Sequence, residues 1–133
     1  MELHQYPEKL YYLIRDVTEL VTQGTWATVD LVLFNAGSEI RVAARATAPD
    51  GTTVDPLPPR AAIEVRDLAG SWLDALGRAG QPEFRALLLR AARETGHADL
   101  RAFRDEDPEV EAWDPTPETF NQVLDRVPIV LGR

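Results

Sequence analysis

Hydrophobic positions along the chain change period several times, and each change predicts an element. Leu10, Leu13, Ile14, Val17, Leu20 and Val21 recur at helical spacing after Pro7, and Gly24 follows where a left-handed residue can end a helix. From Trp26 the period drops to two. "WATVDLVLF" sets Ala27, Val29, Leu31 and Leu33 against Trp26, Thr28, Asp30, Val32 and Phe34, and "EIRVAARA" sets Ile40, Val42, Ala44 and Ala46 against Arg41, Ala43 and Arg45. Such alternation predicts two strands, and the "NAGS" turn between them makes an antiparallel hairpin the economical link.

Asp50-Gly51 marks another tight turn, with a short third strand over Thr53 to Asp55 before "PLPP" leads out of the sheet. Helical spacing returns at Val65, Leu68, Ala69, Trp72, Leu73 and Leu76, ending near Gly77 and Gly80. Pro82, with Phe84, Leu87, Leu88 and Ala91 behind it and Gly96 as a C′ residue, predicts a third helix. "ADLRAF" alternates again as a late strand. Thr116, Pro117 and Glu118 then read as N-cap, first position and an acid facing the positive end of a fourth helix, carried by Phe120, Val123, Leu124 and Val127 and closing before Pro128. The predicted order is α-β-β-(β)-α-α-β-α, an α+β fold with a small antiparallel sheet of three to four strands covered by helices. A length of 133 residues fits a single domain over 1–133.

Charge changes the picture at one place. Residues 105–118 hold Asp105, Glu106, Asp107, Glu109, Glu111, Asp114 and Glu118 with no basic residue. The chain has 22 acids and 14 bases, so the other 119 positions carry 15 acids and 14 bases and are nearly neutral. Nearly all of the −8 therefore sits in one stretch. A solvated face is the ordinary use of such a run. Its single sign, the stiffening prolines Pro108, Pro115 and Pro117, and the presence of Val110 and Trp113 also suit a binding site for a basic partner. Trp113 has two readings: an aromatic anchor ringed by charge, or a residue that folds back and pins the loop to the core. Trp26 and Trp72 read as core.

The remaining chemistry is thin. Without cysteine, disulfides, thiolate metal sites and a cysteine nucleophile are excluded. An EF-hand register starting at Asp105 would put Val110 where glycine is needed and Thr116 where a bidentate glutamate belongs, so no metal is expected. His4 and His97 have no partner at metal-ligand spacing, and Ser38 and Ser71 lack a nucleophile-elbow sequence. Phosphate-cradling glycine motifs do not occur, and no cofactor is expected. A pI near 4.7 disfavours nucleic acid and anionic membrane surfaces, and the absence of a long apolar run or a leader-like start leads to an expectation of a soluble, cytoplasmic protein.

The Trp26-initiated hairpin "WATVDLVLF" with "SEIRVAARA", and "GHADLRAFRDEDPEVEAWDPTPETF" with its late strand and acidic turn, resemble the YezG-like immunity-protein family of bacterial toxin systems. Phe103-Arg104 stands where that family is expected to place tyrosine before the acids. The resemblance implies an immunity protein that neutralises a cognate basic toxin. On that reading Asp105, Glu106, Asp107, Glu109, Glu111, Trp113 and Asp114 are the partner-binding residues and the chain is not an enzyme. The alternative is a secretion-chaperone-like adaptor that binds an apolar segment of a partner. The sequence does not specify an oligomeric state.

Overall fold

The computed structural model describes residues 2–131. Helix α1 (Gln5–Thr22) leads into strands β1 (Thr28–Asn35), β2 (Ile40–Thr47) and β3 (Thr53–Val54). Helix α2 (Pro59–Arg78), strands β4 (Ala86–Ala92) and β5 (Ala98–Phe103), a 3₁₀ turn (Val110–Trp113) and helix α3 (Phe120–Val130) follow. The class is α+β, with one five-stranded sheet ordered β3-β2-β1-β4-β5 and every neighbouring pair antiparallel.

The sheet is covered on both faces. Val29, Leu31, Leu33, Ala44, Ala46, Leu87, Leu89 and Ala91 pack with Tyr6, Leu10 and Ile14 of α1 and Val65, Ala69, Trp72 and Leu73 of α2. Val32, Phe34, Ala43, Ala86, Leu88 and Phe103 pack on the opposite face with Val110, Trp113 and Val123, Leu124 and Val127 of α3. Trp26 and Trp72 are in the core as expected, at 2% and 8% exposure.

The third predicted helix is a strand. Phe84, Leu87, Leu88 and Ala91 match helical spacing, but Leu87 and Leu89 face the α1/α2 layer while Ala86 and Leu88 face the α3 layer. A strand apolar on both faces loses its period-two signature, so its spacing imitates a helix. Gly96, at φ +68°, turns β4 into β5 instead of ending a helix. The sheet accordingly has five strands where three to four were expected.

Other boundaries move by smaller amounts. Helix α1 ends with Gln23 already left-handed (φ 55°) and Gly24 at φ +79°, both donating backbone N–H groups to the Glu19 carbonyl. Helix α2 starts earlier than its apolar spacing shows, with Pro59 in the first turn where a missing N–H costs nothing. Helix α3 begins at Phe120, with Thr119 and not Thr116 at the N-cap position and its hydroxyl turned to Thr116 and Asp114, and continues through Pro128. Among the described residues no helix is long and apolar enough to cross a membrane.

Candidate functional site

The acidic segment is built from the end of β5. Once Phe103 has completed the sheet, the Arg104 N–H donates to the Asp107 carboxylate at 2.7 Å and the Asp107 N–H returns to the Arg104 carbonyl at 2.9 Å, closing a tight turn. The chain then enters the 3₁₀ turn, whose Val110 and Trp113 drop into the core at 5% and 0% exposure. Trp113 lies 5.6 Å from the Phe103 ring, and the Arg126 guanidinium covers its outer face at 4.4 Å while donating to the Ala112 carbonyl at 3.1 Å. The anchor reading of Trp113 is thereby corrected: the indole is enclosed by Phe103 and α3 and offers no surface to a partner. It pins the loop. Among the described residues its Nε1 has no hydrogen-bond partner, so packing and the Arg126 guanidinium over the ring hold it.

The expected surplus of bare anions is also corrected, because the fold brings its own arginines to the segment. Arg41 of β2 donates to both Asp114 oxygens at 2.6 Å. Arg85 holds Asp105 at 3.0 Å and Glu111 at 3.2 Å, and Arg101 stands 3.8 Å from Glu109. Donating to the Asp114 carboxylate, and secondarily to Glu39, raises the Arg41 guanidinium above its ordinary value. Two aromatic rings back this cluster, with Arg85 5.2 Å from the centre of the Phe34 ring and Arg101 4.5 Å from that of Phe103. Arg41 and Arg85 lie far from 105–118 in sequence, so only the tertiary fold assembles their pairs, whereas Arg101 is eight residues from Glu109.

Exposure nevertheless divides the acids. The side chains of Asp105 and Glu111 remain 78% and 71% exposed despite sharing Arg85, and Glu109 is 47% exposed. Asp114 is 23% exposed and committed to Arg41, and Asp107 is committed to its turn. Glu106 is exposed and makes no ion pair among the described residues. Of the predicted partner-binding residues, Asp105, Glu106, Glu109 and Glu111 are therefore accessible, Arg85 brings Asp105 and Glu111 together, Asp107 and Asp114 are committed to the fold, and Trp113 is buried beneath the segment.

A second charged group escaped the sequence reading. Asp30 of β1 sits opposite Arg45 of β2 and Arg90 of β4, and Arg90 sits opposite Asp99 of β5, giving a row of alternating sign across four strands. Asp30 is 2% exposed. Arg90 donates to both its oxygens at 3.1 and 3.3 Å, while Arg45 turns to Asp125 of α3 at 2.7 Å. Burial outweighs the two arginines and raises the Asp30 carboxyl to about 6. The signal was present in the sequence: a lone acid in the middle of an apolar strand. A raised carboxyl pKa beside a hollow is what catalysis by carboxylates would need. The adjacent hollow, of about 330 Å³, is lined by Thr28, Arg90, Ala92, Thr95, His97 and Asp99 and does not include Asp30. Arg90 contacts both Asp30 oxygens and so ties β1 to β4 at this register. Among the described residues no three His, Asp or Glu side chains converge as a metal site would require.

No protein-family model matches the chain, and no curated protein matches it in sequence.

Proposed function

We propose that the protein is a non-enzymatic protein-binding module whose acidic 105–118 face docks a basic protein surface, as an immunity protein would occupy a cognate toxin domain. One observation carries this reading: exposed carboxylates on a frame that does not need to fold on binding. Asp105 and Glu111 stand well out into solvent while Trp113 and Val110 hold the backbone beneath them in the core. Surface ion pairs contribute only about 0–1 kcal/mol, so cations of a partner can replace Arg85 and Arg101 at small cost. Because those arginines already offset part of the charge, long-range attraction is weaker than the sequence alone suggests, and short-range pairing contributes more of the affinity.

The test is binding to the product of the adjacent reading frame at low and high salt. Glu106→Lys with Asp105→Lys is expected to slow association, and Arg85→Gln, which removes the face's own counter-ion, to accelerate it and steepen its salt dependence. An adjacent frame that encodes no basic domain, or rates indifferent to all three substitutions, would overturn the reading.

The adaptor reading has one observation in its favour. A groove of about 290 Å³ between the end of α1 and β3 is lined by Val21, Trp26, Ala46, Ala48 and Val54, of which Val21 and Val54 are 43% and 49% exposed. Binding there would persist at high salt and respond to Val54→Asp.

A further inference from the structure

The two edges of the sheet are finished differently. On one side β3 covers the end of β2 and stops after two residues, because Pro56 has no N–H with which to continue the ladder. On the other side the six-residue β5 has no second strand neighbour among the described residues, with Ala98, Leu100 and Arg101 exposed and Phe103 buried. The His97 and Phe103 carbonyls accept bonds from Ala92 and Arg85 on the β4 side. By the alternation of an antiparallel ladder, Ala98, Leu100 and Ala102 therefore turn their N–H and C=O groups outward. An edge this long is a template for another strand.

Charge identifies that strand. Asp99 and Arg101 flank Leu100 and project from the α3 face of the sheet, while Leu100, 41% exposed, projects from the α1/α2 face. When β5 is laid antiparallel against a second β5 with the two-fold axis at Leu100, Asp99 of each copy stands opposite Arg101 of the other. Leu100 then meets Leu100, and Ala98 meets Ala102. Moving the axis to Arg101 places arginine on arginine, and moving it to Asp99 places aspartate on aspartate. Directly opposed like charges destabilise a strand pair and opposed unlike charges stabilise it, so the sequence Asp-Leu-Arg selects one register.

We propose that β5 pairs antiparallel with β5 of a second copy of this chain, joining two five-stranded sheets into one and forming a symmetric dimer centred on Leu100. Of the charges that flank this centre Arg101 is the more accessible, the Asp99 side chain being 27% exposed. Arg101 is half exposed over the Phe103 ring with Glu109 at 3.8 Å, and Asp99 contacts the His97 ring at 3.1 Å with Arg90 as its neighbour on β4. The interface is one strand edge and correspondingly small, so the dimer is expected to be weak and concentration dependent.

Sedimentation over roughly 10 µM to 1 mM tests this, a range suited to a small interface. The wild type is expected to shift from monomer toward dimer across it. Leu100→Pro removes an N–H that points away from β4, so the monomer should keep its circular dichroism spectrum and the dimer should disappear. Asp99→Arg gives a chain with two cations on the edge, and Arg101→Asp gives a chain with two anions. Each alone should dimerise at least about tenfold more weakly than wild type, and an equimolar mixture should recover assembly. That recovery cannot come from misfolded chains. A wild type monomeric throughout, a dimer that survives Leu100→Pro, or single variants that do not complement each other would each overturn the proposal.

Discussion

Asp30 and Trp113 show how differently a buried side chain can be held. Asp30 is surrounded by Arg45 and Arg90 on neighbouring strands, with Asp99 and Asp125 the acids that face those arginines. Its folded pKa of about 6 lies above the ordinary 3.8, so the native state binds its proton more tightly than the unfolded chain does. The stability it contributes is full below the unfolded value and is lost as pH rises past about 6. The stability of wild type minus that of Asp30→Asn is therefore expected to fall between pH 4 and pH 6.5, by at most about 3 kcal/mol, in urea unfolding at several pH values. A flat difference would mean that Arg90 fully compensates the burial. Among the described residues Trp113 makes no hydrogen bond through Nε1, so its contribution is packing together with the Arg126 guanidinium over its ring. Trp113→Ala is expected to cost about 3–5 kcal/mol by denaturant unfolding, and Trp113→Phe clearly less, since no polar partner is left behind.

At the scale of elements, the boundaries follow from groups that periodicity does not report. The end of α1 depends on a close approach: a Cβ on Gly24 would lie 2.7 Å from Glu19 Oε2 and 3.0 Å from Arg93 Nη2. Arg93 holds Glu19 at 2.8 Å, and that bond, with the one from Trp26 Nε1 at 3.1 Å, keeps the Glu19 carboxyl below its ordinary range. Gly24→Ala therefore meets both a left-handed backbone and an occupied space. A loss of about 1–2 kcal/mol in thermal or denaturant unfolding is expected, against a gain of about 0.5–1 kcal/mol for Gly70→Ala in α2, where nothing lies within 4 Å of an added Cβ. β1 and β4, flanked by strands on both sides and covered on both faces, should hold the slowest-exchanging amides, and β3 and the outward N–H groups of β5 the fastest among the strands. Fast exchange at the Leu87 and Leu89 amides would contradict the placement of β4.

On the scale of the whole molecule, the net charge of −8 gives little guide to the surface potential around the acidic segment. Seven acids in 105–118 read as a one-signed patch, yet Arg41, Arg85 and Arg101 converge on them from three different strands or strand ends. The α+β class, the β1–β2 hairpin, α1, α2, β3, β5 and a helix over Phe120–Val127 were legible in the sequence, because each carries its own periodicity or turn chemistry within a short window. Trp26 and Trp72 were legible as core for the same reason. The character of β4 was decided by tertiary structure, since Leu87, Leu88 and Leu89 become a strand only when β1 and β5 supply hydrogen bonds and both faces supply cover. So were the burial of Trp113, the row through Asp30, and the pairing of Asp105, Glu111 and Asp114. Local pattern records what a residue needs from its immediate neighbours, whereas charge neutralisation and two-sided burial depend on partners tens of residues away.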